Sequence, residues 1–391
     1  MRARATIVGL TVLALAAGLL SGLVLGAEAT VHPRIPAPPR LTAAAARRAL
    51  AAFNKAFYSG STLQGFYVDS ATTGLADFWK EAEMIETVED YYRLTGDPAY
   101  ERLTLALCRG VIGRYGSNWL HLYWPADHKL IGQRANDDVM WMVIAFARAS
   151  ALSGDPTYLH IARQNFDPAY ARAWSSALGG GLWWRTATDR PGKNTTTNAP
   201  AVIAAVNLYK ATHDGLYLTR AESLYGWVRS HLFDPRTGRV CDGLVLHGTN
   251  VSVDRTQYTY NQGSFIGAAD ALYTVTGDRV YYTDALSALA YTRADLTRNG
   301  ILQNDSSKPD QDSGGFKGIF ARWAIAFTRQ NHITSYDSWF RLNADMAWAQ
   351  RNNAGIVGWR WTAKTGVDTP YSWDNSSAVA MMEALLPTHG R

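Results

Sequence analysis

The sequence predicts an all-α fold, a closed (α/α)6 toroid of about twelve helices in one domain, and three observations carry that expectation. First, one helix–turn–helix phrase recurs: "LTGDPAYERLTLA" at 94–106, "LSGDPTYLHIARQ" at 152–164, "ATHDGLYLTRAES" at 211–223 and "VTGDRVYYTDALS" at 275–287. Its aspartates, Asp97, Asp155, Asp214 and Asp278, are 58, 59 and 64 residues apart. Second, helix starts fall near Phe78, Asn136, Thr195, Tyr260, Gly315 and Trp373, a repeat of roughly 60 residues. Third, runs such as "VIAAVNLYKA" and "FIGAADALY" are apolar on most faces, while strand-like alternation is nearly absent.

Each repeat reads as a helical hairpin. A helix ends at a Gly-containing turn, Asp caps the next helix, and an aromatic follows three residues later (Tyr100, Tyr158, Tyr217, Tyr281). Helices apolar all round belong inside a ring, and six inner helices running in one direction gather their N-termini at one mouth. The segments that land there are "DFWKEAE", "RANDDVMW", "KNTTTNAP", "YTYNQGS", "GGFKGIF" and "SWDNSS". One polar cap per helix would suffice for structure. A rim this dense in amides, aromatics and carboxylates reads instead as a cleft for carbohydrate.

Within that rim the adjacent Asp137 and Asp138 are the candidate chemistry. They also suit an ordinary helix start, where negative charge is favoured, and Asn136 is the expected N-cap. Neighbouring carboxylates meet the separation of about 5–5.5 Å that a retaining glycosidase needs more easily than the wider spacing of an inverting one. Trp183 and Trp184 follow three glycines (179–181); consecutive side chains diverge, so at least one is expected to face the cleft. Asn194, Asn198, Tyr260, Asn261 and Gln262 offer donors and acceptors for sugar hydroxyls, with helix capping as the competing role for Asn194 and Asn261. Asp242 and Lys317 either bind hydroxyls or pair with each other.

Composition excludes other classes. A net charge of +5 without a run of five basic residues leaves no nucleic-acid footprint. The nine histidines form no HxxxH pair, and the two cysteines, Cys108 and Cys241, form no metal or redox motif, so no metal or cofactor is expected. The cysteines are free to pair in an exported chain. Export is indicated by Arg2 and Arg4 ahead of an apolar run from Ile7 to Leu25 and a small-residue site at Ala27–Ala29. Residues 1–29 read as a signal peptide, with a retained membrane anchor as the alternative. Residues 30–40 read as a Pro-rich linker, and 41–391 as the catalytic domain. A monomer is expected, secreted or held at the cell wall.

The motifs "NDDVMW" (136–141), "GGGLWW" (179–184), "KNTTTNAP" (193–200), "DGL" (242–244), "TYNQG" (259–263) and "FKGIFAR" (316–322) occur in the order seen in glycoside hydrolase family 76, the endo-α-1,6-mannanases, which the chain resembles from about 76 to 345. The resemblance implies an (α/α)6 barrel and retaining hydrolysis of α-1,6-mannosidic bonds in mannan or another mannose-containing cell-wall glycan. It makes Asp137 the nucleophile and Asp138 the acid/base. It places Trp141, Trp183, Trp184, Asn194, Asn198, Asp242, Tyr260, Asn261, Gln262 and Lys317 around the substrate. The departure is at the pair itself, where Asn136 replaces an aromatic and Met140–Trp141 replaces a double aromatic. An acid catalyst needs a raised pKa, which like charge and burial near Trp141 would supply; the resemblance puts it on Asp138. Transglycosylation, or a non-catalytic mannan-binding role, are the readings that compete.

Overall fold

Twelve α-helices alternate between an inner and an outer ring in the computed structural model, which describes residues 38, 40–69, 74–120, 135–185, 192–248, 250–309, 312–369 and 371–388. The leader and most of the linker expected from the sequence lie outside these residues. In chain order the helices are α1 Ala43–Phe57, α2 Phe78–Thr95, α3 Pro98–Tyr115, α4 Asn136–Ser153, α5 Pro156–Ala173 and α6 Thr195–Thr212. They continue as α7 Gly215–His231, α8 Thr259–Thr276, α9 Arg279–Asp295, α10 Phe316–Gln330, α11 Asp337–Ala349 and α12 Ser372–Met382. The even-numbered helices pack in sequence, α2 on α4 and so on to α12, and α12 returns to α2, so the ring closes. The first helix packs on α12, and the Leu41 N–H donates to Asp345 Oδ1 of α11 at 2.6 Å, joining the two ends of the domain.

Local chemistry accounts for the hairpins. Asp97, Asp155, Asp214 and Asp278 are the N-caps of α3, α5, α7 and α9, each accepting the backbone N–H two residues on at 2.8–3.0 Å. Before them the inner helices end at left-handed residues: Gly96, Gly154 and Gly277, with His213 at φ 58° in the third repeat. The aromatic three residues after each cap is a docking group. Tyr100 meets Tyr91, Tyr158 meets Phe146, Tyr217 meets Phe166 and Tyr281 meets Tyr225, all edge-on at 4.9–5.8 Å.

The inner helices approach closely where side chains are small. A Cβ on Gly263 of α8 would lie 2.4 Å from the Phe320 Cα of α10, so this glycine lets two backbones touch. Deep in the ring a charged cluster ties three inner helices together. Arg148 of α4 pairs with Glu86 at 3.0 Å, Glu89 at 2.9 Å and Asp90 of α2; Arg322 of α10 pairs with Glu83 and with Asp90 at 2.9 Å. Burial this complete is tolerable because each guanidinium fork faces several carboxylates.

Short strands are present where the alternation signal is nearly nil, because they are loop-born hairpins of two to five residues. The largest group pairs Gly192–Asn194 with Gly243–His247, and that strand with Asn250–Asp254, both antiparallel. Cys108 and Cys241 are both free and buried, so they do not form a disulfide.

Candidate active site

The N-terminal ends of five inner helices, α2, α4, α6, α8 and α10, surround a cleft of about 950 Å³, and the start of α12, expected at the same mouth, is not among its lining. Its walls come from Trp79 of α2, Asp137, Asp138 and Trp141 of α4, Thr196 of α6 with Asn194 before it, Tyr260 of α8 with Tyr258 before it, and Phe316 of α10. The 243–247 strand, Asp254 and the segment Asn304–Ser307 complete it.

The aspartate pair sits in the first turn of α4. Asp138 is 4% exposed and Asp137 is half-buried. The Asp137 carboxylate accepts the Asp138 N–H at 3.1 Å and a side-chain hydrogen bond from Trp184. Burial pushes the Asp137 carboxyl up to about 7, against those hydrogen bonds and the nearby Arg185 charge, which lower it. At Asp137 desolvation is the leading cause of the rise. One correction concerns Asn136, which is not the cap. The N-cap position is Ala135, and Asn136 is the first helical residue, fully buried, its Nδ2 donating to the Trp183 carbonyl at 2.7 Å and its Oδ1 accepting from Arg172 Nε at 2.7 Å. Its backbone N–H donates to the Trp184 carbonyl at 2.9 Å.

Of the two tryptophans, Trp184 lines the cleft, and Trp183 packs against the Lys193 ammonium at 4.6 Å. Lys193 is buried, and its Nζ donates to the carbonyls of Ser175, Ala177 and Gly180 at 2.6–2.8 Å, fastening the loop that leads into the glycines. Desolvation pulls its pKa down to about 8.

Asn194 lines the cleft and is also the N-cap of α6, accepting from the Thr197 N–H at 3.1 Å. Tyr260 lies in the cleft, stacked on Phe316 at 3.7 Å with the planes 8° apart. Asp242 lines it as well; Asn261 is buried behind and donates to Asp242 Oδ1 at 2.8 Å. Burial raises the Asp242 carboxyl, while the bonds from Asn261 and Tyr260 oppose the rise.

Asn198, Gln262 and Lys317 are buried away from the cleft surface. Asn198 brackets Leu182, accepting its N–H at 2.7 Å, and donates to the Asn194 carbonyl at 2.8 Å. Gln262 packs on the 238–240 backbone. Lys317 does not pair with Asp242; its Nζ donates to Asn304 Oδ1 and the Trp359 carbonyl, both at 2.7 Å, above the Trp361 ring. Desolvation brings its pKa down to about 7.

Sequence reasoning missed Trp79, Tyr258, Phe316 and Asn304–Ser307 as cleft residues. The first three sit in or beside the rim segments singled out from the repeat, so their signal was present. The 304–307 segment belongs to no helix start and carried none.

A closed ring of helix pairs with carboxylates and aromatic walls at one mouth is an arrangement that (α/α)6-barrel glycoside hydrolases share, and it is the site rather than the ring that points to them. The sequence profile of Glycosyl hydrolase family 76 matches residues 42–389, and the chain belongs to that family. It is 28% identical over 243 residues to the mannan endo-1,6-alpha-mannosidase DCW1 of Candida glabrata, covering 57% of this chain and 53% of that one. It is 23% identical over 335 residues to the mannan endo-1,6-alpha-mannosidase DFG5 of Saccharomyces cerevisiae, covering 79% and 70%. The chain thus spans only about half the length of the first of these relatives. Among solved structures, the GH76A alpha-1,6-mannanase of Salegentibacter sp. HEL1_6 superposes with a TM-score of 0.77 at 26% identity, over 88% of this chain and 98% of that one. An inactive variant of that mannanase, with two consecutive aspartates changed to asparagine, has been solved with alpha-1,6-mannotriose and has a TM-score of 0.77 at 25% identity, with the same coverage of 88% and 98%.

Proposed function

We propose that the protein is an exported, endo-acting, retaining glycoside hydrolase that cleaves α-1,6-mannosidic bonds in mannan backbones. The observation that carries the reading is the Asp137–Asp138 pair in the wall of an aromatic cleft in a family 76 barrel. The likeness to a mannanase that is inactive once two consecutive aspartates are replaced supports a catalytic role for the pair.

In the first step an Asp137 carboxylate oxygen attacks the anomeric carbon while Asp138 gives its proton to the departing glycosidic oxygen. A covalent mannosyl ester forms and the C–O bond of the leaving chain breaks. In the second step Asp138 takes a proton from water, the water oxygen attacks the same carbon, and Asp137 leaves as carboxylate. The Trp184 bond and the helix N-terminus stabilise the Asp137 carboxylate, which burial alone disfavours. Trp184 and Tyr260 offer apolar faces to the sugar rings, and Asn194 and Asp242 offer polar atoms to hydroxyls.

Incubation with linear α-1,6-mannan, branched mannan and an α-1,4-glucan tests the reading, with NMR following the anomer first released. Oligosaccharides from linear α-1,6-mannan with retained configuration are expected. An inverted first product would overturn the double displacement, and absence of cleavage with intact binding would make the protein a mannan-binding scaffold. Products lengthened by an added acceptor sugar would make it a transglycosylase.

A further inference from the structure

We infer that Asn304 is a substrate-binding residue, its amide locked by Lys317 so that the NH2 group, and not the oxygen, is offered to a hydroxyl or ring oxygen of the mannan chain. The inference rests on the mannan-cleaving reading above. Asn304 is exposed in the cleft wall, on the segment between α9 and α10 that belongs to no helix.

An exposed asparagine ordinarily turns about its last torsion and presents either end of the amide to water. This one is fixed. Lys317, in the first turn of α10, is buried behind it, and its Nζ donates to Asn304 Oδ1 at 2.7 Å. That Nζ is itself held by a second bond of 2.7 Å to the Trp359 carbonyl and lies 4.2 Å from the centre of the Trp361 ring. An ammonium has only hydrogens to give, so the amide oxygen must face it. The nitrogen end is thereby turned away from Lys317, and Nδ2 has no hydrogen-bond partner among the described residues.

The backbone beneath the side chain is tied down as well. Asp305 accepts the Thr259 N–H at 3.1 Å and the Thr259 hydroxyl, joining the segment to the start of α8. Ser306 donates to the Lys308 carbonyl at 2.6 Å and closes its own turn. With Lys317 on α10, the segment is anchored to two inner helices. Because α4 and α10 are three places apart round the ring in either direction, Asn304 and the aspartate pair stand on opposite sides of the mouth.

The plainer role for Asn304 is to supply an acceptor to a buried amine. That role uses only the oxygen, and an aspartate would fill it better by adding charge. It calls for no donor on the cleft surface. A donor held in place before the sugar arrives loses no rotamer freedom on binding, and sugar oxygens are acceptors for it.

The test measures α-1,6-mannotetraose affinity by calorimetry in an Asp138→Asn parent, which prevents hydrolysis, with melting temperature in parallel. It is run at about pH 6, below the value of about 7 to which desolvation brings Lys317, so that the amine is charged. Asn304→Asp keeps the size and the Lys317 contact and removes only the donor. It is expected to weaken binding about tenfold with the melting temperature unchanged or raised, and Asn304→Ala to show the same loss of affinity. Lys317→Met frees the amide to turn and should weaken binding about threefold. In the otherwise wild-type enzyme, Asn304→Asp should raise KM and leave kcat. A folded Asn304→Asp protein that binds like its parent overturns the donor role, and parental affinity in folded Lys317→Met overturns the lock. Should Lys317→Met not fold, Asn304→Gln takes its place: it keeps the donor but not the fixed contact, and parental affinity there overturns the lock. Failure of the underlying reading looks different, because the parent itself would then bind no α-1,6-mannotetraose, and the inference would fall with it.

Discussion

Trp184 grips the start of α4 at two points: its side chain hydrogen-bonds the Asp137 carboxylate, and its backbone carbonyl accepts the Asn136 N–H at 2.9 Å. One residue thus serves as cleft wall, carboxylate partner and anchor for the helix that carries the aspartate pair. Replacing it by Phe keeps the apolar face and the backbone anchor but removes the side-chain donor. Since that bond lowers the Asp137 pKa, its loss raises it, and the acidic limb of kcat/KM should move upward in Trp184→Phe. Trp184→Ala should in addition weaken α-1,6-mannotriose binding about tenfold, ~1.4 kcal/mol, measurable by calorimetry.

Asp137→Asn and Asp138→Asn should each reduce kcat on the order of 10³-fold, while mannotriose affinity and melting temperature stay close to wild type. Rate assays beside binding and thermal melts check this. A single variant with near-normal turnover would remove that aspartate from the mechanism.

The buried cluster around Arg148 makes a stability prediction. Arg148→Met leaves Glu86, Glu89 and Asp90 without one of their two principal cations, and removing one side of a buried ion pair costs about 3–5 kcal/mol. Denaturant unfolding should show a loss of that size. A change below about 1 kcal/mol would mean the cluster contributes little to the closed ring.

Glu81 gives a pH dependence whose sign is opposite to that of a salt-bridged carboxylate. It is 2% exposed, both its oxygens accept the Tyr67 N–H at 3.1 and 3.2 Å, and burial pushes its pKa from the ordinary 4.5 up to about 8. A group held protonated in the fold contributes fully below pH 4.5, and that contribution is lost as pH rises toward 8. Glu81→Gln should therefore flatten the melting temperature between those values and gain on the wild type at pH 8. A constant offset at every pH would refute the assignment.

Gly263→Ala should cost about 1–3 kcal/mol, because the added Cβ would lie 2.4 Å from the Phe320 Cα and force α8 from α10. Thermal melts would show it. Activity should fall as well, since Tyr260 and Phe316 stack across that same pair of helices.

The helix starts, the capping aspartates and the closed ring were legible in the amino-acid sequence, because caps, turn glycines and apolar periodicity act over a few residues. The expected starts at Phe78, Asn136 and Thr195 coincide with the observed ones, and those near Tyr260, Gly315 and Trp373 lie one residue away. The location of the aspartate pair followed from the same repeat. What local signals do not contain is the rotation of each helix about its own axis. Successive residues of a helix point about 100° apart, so of "YNQ" only Tyr260 faces the cleft, while Asn261 turns to brace Asp242 and Gln262 to the 238–240 backbone. Lys317 is sent behind the wall in the same way, and Asn136 is taken from capping duty because Arg172 and Trp183, 36 and 47 residues away, offer it better partners. Sequence by itself determined which segments meet at the mouth of the barrel. Only the tertiary structure decided which side chains face the cleft and which hold those that do, because that choice depends on neighbours brought together by ring closure.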